Sequence, residues 1–194
     1  SRRWQERGFR VIAAMQDLRG RIVVDGGAGT GDFGAFLKKR RVRYARYIGL
    51  EGVEQMAEKG AESGLARAEF HACDFAREED VFTRFTREMA GAPGGMPHVI
   101  VFSGSLNTFE EEAARGVLAR AWEACAEALV FNFLSDRVSR AKVQGDTGPA
   151  RRFSTVAMLD WALSKTPSVA MRHDYIPKGH DATIAMYREG RAAE

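Results

Sequence analysis

The segment Arg21-Ile-Val-Val-Asp25-Gly-Gly-Ala-Gly-Thr-Gly-Asp-Phe33 constrains this chain more than any other. A short apolar run ends in an acid and passes at once into Gly26, Gly27, Gly29 and Gly31. Glycine is required where backbone turns with positive φ, or where a Cβ would collide with a bound molecule. Phe33, Phe36 and Leu37 then fall on helical spacing, so the glycines open a helix whose free N–H groups face a ligand. A nucleotide-containing cofactor is the expectation.

At 194 residues and 45% hydrophobic composition, the chain suits one well-buried core, and residues 1–194 read as a single domain. No apolar run reaches the roughly 18 residues of a membrane span, and the Arg-rich start lacks a secretory apolar core. A cytoplasmic protein without membrane attachment is expected. Cys73 and Cys125 belong to no metal-binding spacing and read as ordinary buried thiols. A net charge of +3 does not demand nucleic acid as a partner. The basic cluster Lys38, Lys39, Arg40, Arg41, Arg43 and Arg46 falls where the first glycine-led helix should end, so it reads as a solvated helix terminus.

Helical and strand periods alternate along the chain, the pattern of a mostly parallel sheet with helices on both faces. An amphipathic helix over 3–18, with Trp4, Phe9, Ile12 and Met15 on one side, precedes strand 21–25 and helix 31–41. Strand 46–50, helix 53–63, strand 68–72 and helix 78–90 follow. Ala92-Pro-Gly-Gly-Met-Pro97 breaks the chain before strand 98–102, helix 110–125 and strand 127–133. After a long irregular stretch, 134–154, and a helix over 155–165, two strand-like runs at 169–176 and 183–187 lie too close for a crossover helix. They must form an antiparallel hairpin, the last two of seven strands.

Asp25-x-Gly27-x-Gly29-x-Gly31 resembles the motif of the class I S-adenosylmethionine-dependent methyltransferases, whose first strand ends in Asp/Glu-x-Gly-x-Gly-x-Gly. A competing register, Gly29-Thr-Gly31-Asp-Phe-Gly34, satisfies the dinucleotide pattern Gly-x-Gly-x-x-Gly. There the first glycine should sit at the strand end, whereas here two more intervene. Glu51 ends the second strand about 20 residues past the glycines, where an acid accepts hydrogen bonds from both ribose hydroxyls and repels a phosphorylated ribose. The resemblance implies that Asp74, after the third strand, holds the adenine amine, that Phe75 packs on the ring, and that Ser103 and Gly104 touch the methionine portion. Asp25, Gly26, Gly27, Ala28, Gly29, Gly31 and Gly52 complete the implied cofactor set. The implied fold is a Rossmann-like α/β sheet, and the implied product is S-adenosylhomocysteine. The stretches Gly31-Asp-Phe33, Ser103-Gly-Ser-Leu-Asn107, Asn132-Phe-Leu-Ser135 and His180-Asp-Ala-Thr183 look similar to a bacterial small-molecule branch.

The Asp/Asn-Pro-Pro-Tyr/Phe run of enzymes that methylate nucleobase amines is missing after the fourth strand. No acid follows there until Glu110, so no metal is expected. Ligands of open α/β sheets sit beyond the carboxyl ends of the strands, which gathers loops 103–109, 132–154 and 177–181. The acceptor is expected among them, on the face covered by the 134–154 insertion. His180, Asn107 and Tyr175 are the candidate catalytic residues, His180 as base, and Phe109, Phe133 and His173 the candidate acceptor contacts. Arg137, Arg140, Lys142, Arg151 and Arg152 lie in the insertion, and the forks of Arg151 and Arg152 suit an anionic acceptor. The expected activity is methyl transfer to an O or N atom of a small molecule. An RNA methyltransferase using the Lys38–Arg46 cluster, or a cofactor-binding module without turnover, are the alternatives.

Overall fold

The computed structural model describes residues 2–138 and 149–188. The chain runs α1 (Arg2–Met15), β1 (Ile22–Gly26), α2 (Asp32–Lys39), β2 (Arg46–Glu51), α3 (Glu54–Ala61), β3 (Ala68–Ala72) and α4 (Val81–Arg84). It continues through β4 (Val99–Phe102), a 3-10 turn (Leu106–Thr108), α5 (Glu111–Ala124), β5 (Ala128–Leu134), α6 (Thr155–Lys165), β6 (Val169–Arg172) and β7 (Asp181–Tyr187). One seven-stranded sheet has the order β3-β2-β1-β4-β5-β7-β6. Neighbours from β3 through β5 pair parallel, while β7 is antiparallel to both β5 and β6. The expected α/β sheet with its terminal hairpin is therefore present.

Period-2 alternation explains how this sheet holds two apolar layers. Ile22, Val24, Ile100, Phe102, Leu129 and Phe131 face one side, where Leu118 and Trp122 of α5 and Met158 and Ala162 of α6 cover them. Val23, Val99, Val101, Ala128 and Val130 face the other, against Phe9 and Ile12 of α1 and Phe33, Phe36 and Leu37 of α2. Burying each of the larger side chains stabilises the fold by about 1.5–3 kcal/mol. Strands covered on both faces read as near-continuous apolar runs, as Ile22–Val24 of β1 and the whole of β4 do, all of them buried.

Two sequence expectations need correction. The helix expected over 78–90 is only Val81–Arg84. Thr86, fully buried, turns its hydroxyl to the Gly95 carbonyl at 2.7 Å, and the chain beyond it continues as separate turns. A hydroxyl that bonds outside its own helix competes with helix propagation. The first hairpin strand, expected over 169–176, stops at Arg172. His173 leaves the sheet edge to meet Ser135 Oγ at 2.9 Å, Tyr175 turns its hydroxyl to Thr183, and Lys178 and Gly179 turn the chain with φ of 67° and 64°.

Among the described residues, no helix is long and apolar enough to cross a membrane. Lys38 and Lys39 close α2, which runs back from the carboxyl end of β1, and Arg46 opens β2. The basic cluster thus lies at the amino edge of the sheet, opposite the strand ends that carry the glycines.

Candidate active site

A cavity of about 670 Å³ opens at the carboxyl ends of β1, β2, β3 and β4. Gly27, Ala28, Gly29, Glu51, Gly52, Asp74, Phe75, Ser103 and Gly104 all line it, so the structure brings most of the sequence-derived cofactor residues into one wall. Its size lies within the roughly 300–1,000 Å³ of small-molecule sites.

The glycine turn is built by close approach. Gly27 has φ 76°, and a Cβ there would overlap the Ser105 side chain, whose hydroxyl donates to the Gly26 carbonyl at 2.6 Å. Gly26 and Gly31 do not line the cavity: a Cβ would meet the Phe102 ring at the first and the Phe70 ring at the second. At these two positions the missing Cβ makes room for the neighbouring ring.

The Glu51 carboxylate is oriented from both sides, with Oε2 accepting from the Gly29 N–H at 2.8 Å and Oε1 from the Val53 N–H at 3.0 Å. Two lone pairs remain for a ligand diol. Asp74 is more exposed, and its Oδ1 accepts from the Ala76 N–H at 3.1 Å, so it caps its own turn while lining the cavity. Phe75 is buried against Phe102 and Phe109, and Phe109 lines the same cavity. Arg120, which the sequence did not single out, holds this segment by donating to the carbonyls of Phe75, Ala76 and Glu78. Cys73 also lines the cavity, half-exposed rather than buried, and burial pushes its thiol up to about 11.

Asp25 is almost completely buried and accepts a short hydrogen bond from the Tyr47 hydroxyl. Burial pushes its carboxyl up to about 7; the Tyr47 bond opposes this and the nearby Glu51 charge reinforces it. Asp25, Asp32, Glu51 and Asp74 all line the cavity, and no lysine or arginine does among the described residues. Such a wall suits a cationic ligand and leaves a pyrophosphate without a counter-charge.

Several candidate acceptor-side residues are engaged elsewhere. Asn107 Nδ2 donates to the Arg151 carbonyl at 2.6 Å, and its Oδ1 accepts from the Leu134 N–H at 3.0 Å. With both ends of the amide committed to backbone, Asn107 ties the base of the insertion to β5. Tyr175 shares a hydrogen bond with Thr183 Oγ1 at 2.7 Å, and burial pushes its phenol further up. His173 joins Ser135 Oγ, which also meets Thr155 Oγ1 at 2.7 Å. Phe133 is core, stacked between Phe131 and Phe153. Arg151 pairs with Glu110 at 2.8 Å, and Arg152 donates to the carbonyls of Ser135 and His180. None of these six lines the cavity. Arg140 and Lys142 lie outside the described residues, and the described ones hold no cluster of His, Cys, Asp or Glu able to bind a metal.

His180 is placed differently. Its Nδ1 is hydrogen-bonded to Asp181 Oδ1, and its ring centroid is 4.9 Å from that of Trp4. It lines a smaller cavity together with Ser103 and Gly104, the turn that also walls the larger one.

Among known proteins, no family model matches the chain, and no curated sequence matches it. Solved structures do resemble it. The magnesium protoporphyrin IX methyltransferase of Synechocystis PCC 6803, with bound SAM, superposes with a TM-score of 0.67 at 15% identity, covering 96% of this chain and 79% of that one. An S-adenosylmethionine-dependent methyltransferase from Mesorhizobium loti gives 0.67 at 13% identity over 94% and 98% of the two chains. A SAM-dependent methyltransferase from Archaeoglobus fulgidus gives 0.69 at 11% identity over 93% and 92%. The glycine turn, the strand-end acids and the sheet order thus belong to a chain with the Rossmann-like fold of the SAM-dependent methyltransferases.

Proposed function

We propose that this protein is an S-adenosylmethionine-dependent methyltransferase acting on an O or N atom of a small molecule. One observation carries the reading: a glycine turn and the acids of three successive strand ends share a cavity whose described wall has no cation. S-adenosylmethionine is a sulfonium with an ammonium group, so acids favour it, whereas a nicotinamide dinucleotide would bring two phosphates against them. Glu51 takes the ribose hydroxyls, Asp74 the adenine amine and Phe75 the ring face. The Gly27–Gly29 backbone, Asp25 and the Ser103–Gly104 turn hold the methionine portion. The bound cofactor supplies an electrophilic methyl group, and in-line alignment of the acceptor provides most of the acceleration.

No member of the basic cluster lines this cavity, which disfavours RNA as the acceptor. A histidine oriented by a carboxylate beside the Ser103–Gly104 turn favours turnover over a silent binding module. Free Cys73 and Cys125 suit a reducing, cytoplasmic setting.

Calorimetry with S-adenosylmethionine, S-adenosylhomocysteine and NAD tests the reading. The two adenosyl-sulfur compounds should bind one per chain and NAD should not. Tight NAD binding without binding of either adenosyl-sulfur compound would overturn it.

A further inference from the structure

The smaller cavity, about 270 Å³, lies between the amino end of α1 and the carboxyl end of β5. Gln5, Ser103 and Gly104 line both cavities, so the two meet at the turn after β4. Three groups define its chemistry. The hydrogen bond from His180 Nδ1 to Asp181 places the ring proton on Nδ1 and leaves Nε2 as an acceptor, and no described group bonds to Nε2. Asn132, on β5, accepts the Gly104 N–H at 2.7 Å through Oδ1, which fixes its amide so that Nδ2 is the free donor. Gly8 makes room for that amide: a Cβ there would stand 2.8 Å from Asn132 Nδ2. Glycine inside a helix costs roughly 0.5–1 kcal/mol, and here it lets α1 close over a polar group. The Trp4 ring forms the outer wall against His180.

Resting on the cofactor reading above, we propose that this cavity is the acceptor subsite and that it takes a neutral, single-ring compound carrying a hydroxyl group. The volume, slightly below that of drug-sized sites, fits one ring against Trp4. No lysine or arginine lines it among the described residues, and the Asp181 carboxylate would repel an anion, so the acceptor is uncharged. Asn132 Nδ2 donates to the acceptor oxygen and holds it toward the Ser103–Gly104 turn. The acceptor oxygen forms a bond to the methyl carbon as the carbon–sulfur bond breaks and its electron pair stays on sulfur. The hydroxyl proton passes to His180 Nε2, and the imidazolium so formed is held by Asp181 until it loses the proton to water. Trp4 and Asn132 are thereby specificity-determining residues of the site.

The test uses phenol as the neutral ring probe and benzoate as its anionic counterpart, each titrated by NMR into protein saturated with S-adenosylhomocysteine. Phenol should bind and shift the His180 imidazole resonance, identified by its loss in His180→Gln. Binding should weaken at least fivefold in Trp4→Leu and in His180→Gln, while calorimetric affinity for S-adenosylmethionine stays within twofold of the parent. Benzoate should bind more weakly than phenol. Absence of phenol binding, equal binding by the variants, an unmoved His180 resonance or a preference for benzoate would each overturn the subsite while leaving the cofactor reading intact. Failure of the parent to bind S-adenosylmethionine would sink the cofactor reading itself, and the subsite with it.

Discussion

The Glu51 carboxylate accepts the Gly29 N–H at 2.8 Å, so the acid that ends β2 fastens the glycine turn that follows β1. Two segments that sequence reasoning treats as separate ligand contacts are one mechanical unit. Glu51→Gln replaces an acceptor that faces two backbone N–H groups with an amide whose NH₂ must turn toward one of them or toward the ligand. Lost charge-assisted bonds of this type are worth about 1.5–3 kcal/mol each. S-adenosylmethionine affinity should therefore fall by roughly one to two orders of magnitude in calorimetry, and the thermal midpoint should fall as well, because Glu51 is buried and its two bonds hold the glycine turn. Unaltered affinity would remove Glu51 from the cofactor site.

Asp25 gives the fold a pH dependence of known sign. Its carboxyl is raised by burial to about 7, above its value in the unfolded chain, so the native state holds the proton more tightly. The stabilising contribution is full below about pH 4 and is lost as pH rises through about 7, a change on the order of 4 kcal/mol. Asp25→Asn has no proton to lose there. The thermal midpoint of the variant minus that of the parent should climb between about pH 4.5 and 7.5 and then level off. A difference that stays flat across that range would show that Asp25 is ionised throughout.

Asn107 separates a structural role from a chemical one. Its amide joins the Arg151 carbonyl to the Leu134 N–H, so Asn107→Ala leaves two backbone groups without partners at a cost of about 1–3 kcal/mol each. Denaturant midpoints should fall accordingly, while S-adenosylmethionine affinity in the folded protein should stay within a few-fold. A stable variant that binds cofactor yet methylates no acceptor would restore Asn107 as a catalytic group.

What the sequence made legible was what neighbouring residues decide. The apolar runs of β1, β4 and β5 and the strand-end acids Glu51 and Asp74 are local patterns, and the structure places them together. Trp4, Asn132, Ser105 and Arg120 were missed because their roles arise across long chain separations. Trp4 looked like one more apolar residue beside Phe9, yet it stands past the sheet and meets His180. Asn132 entered only as the start of the stretch Asn132-Phe-Leu-Ser135, and its Gly104 partner appears only once β4 and β5 lie side by side. The signal that could have exposed it is the polarity itself, an amide where both neighbours are phenylalanines. Asn107, His173 and Arg151 misled for the converse reason: polar residues in the right loops are also what fasten those loops.

Gly27 and Ser105 offer a test that divides backbone strain from steric contact. A Cβ at Gly27 would require φ 76° of a non-glycine residue and would overlap the Ser105 side chain. The first effect costs about 1–2 kcal/mol, and overpacking of this kind adds typically 1–3 kcal/mol. Gly27→Ala should therefore destabilise the protein by about 2–5 kcal/mol and displace the turn that walls the cofactor cavity. Combining it with Ser105→Gly removes the overlap, but leaves the dihedral cost and gives up the hydroxyl bond to the Gly26 carbonyl. The double variant should thus recover only part of the stability, read as a positive coupling energy in a double-mutant cycle by urea denaturation. Strict additivity would mean that the turn evades Ser105 by moving, and that the two residues are not packed as one cradle.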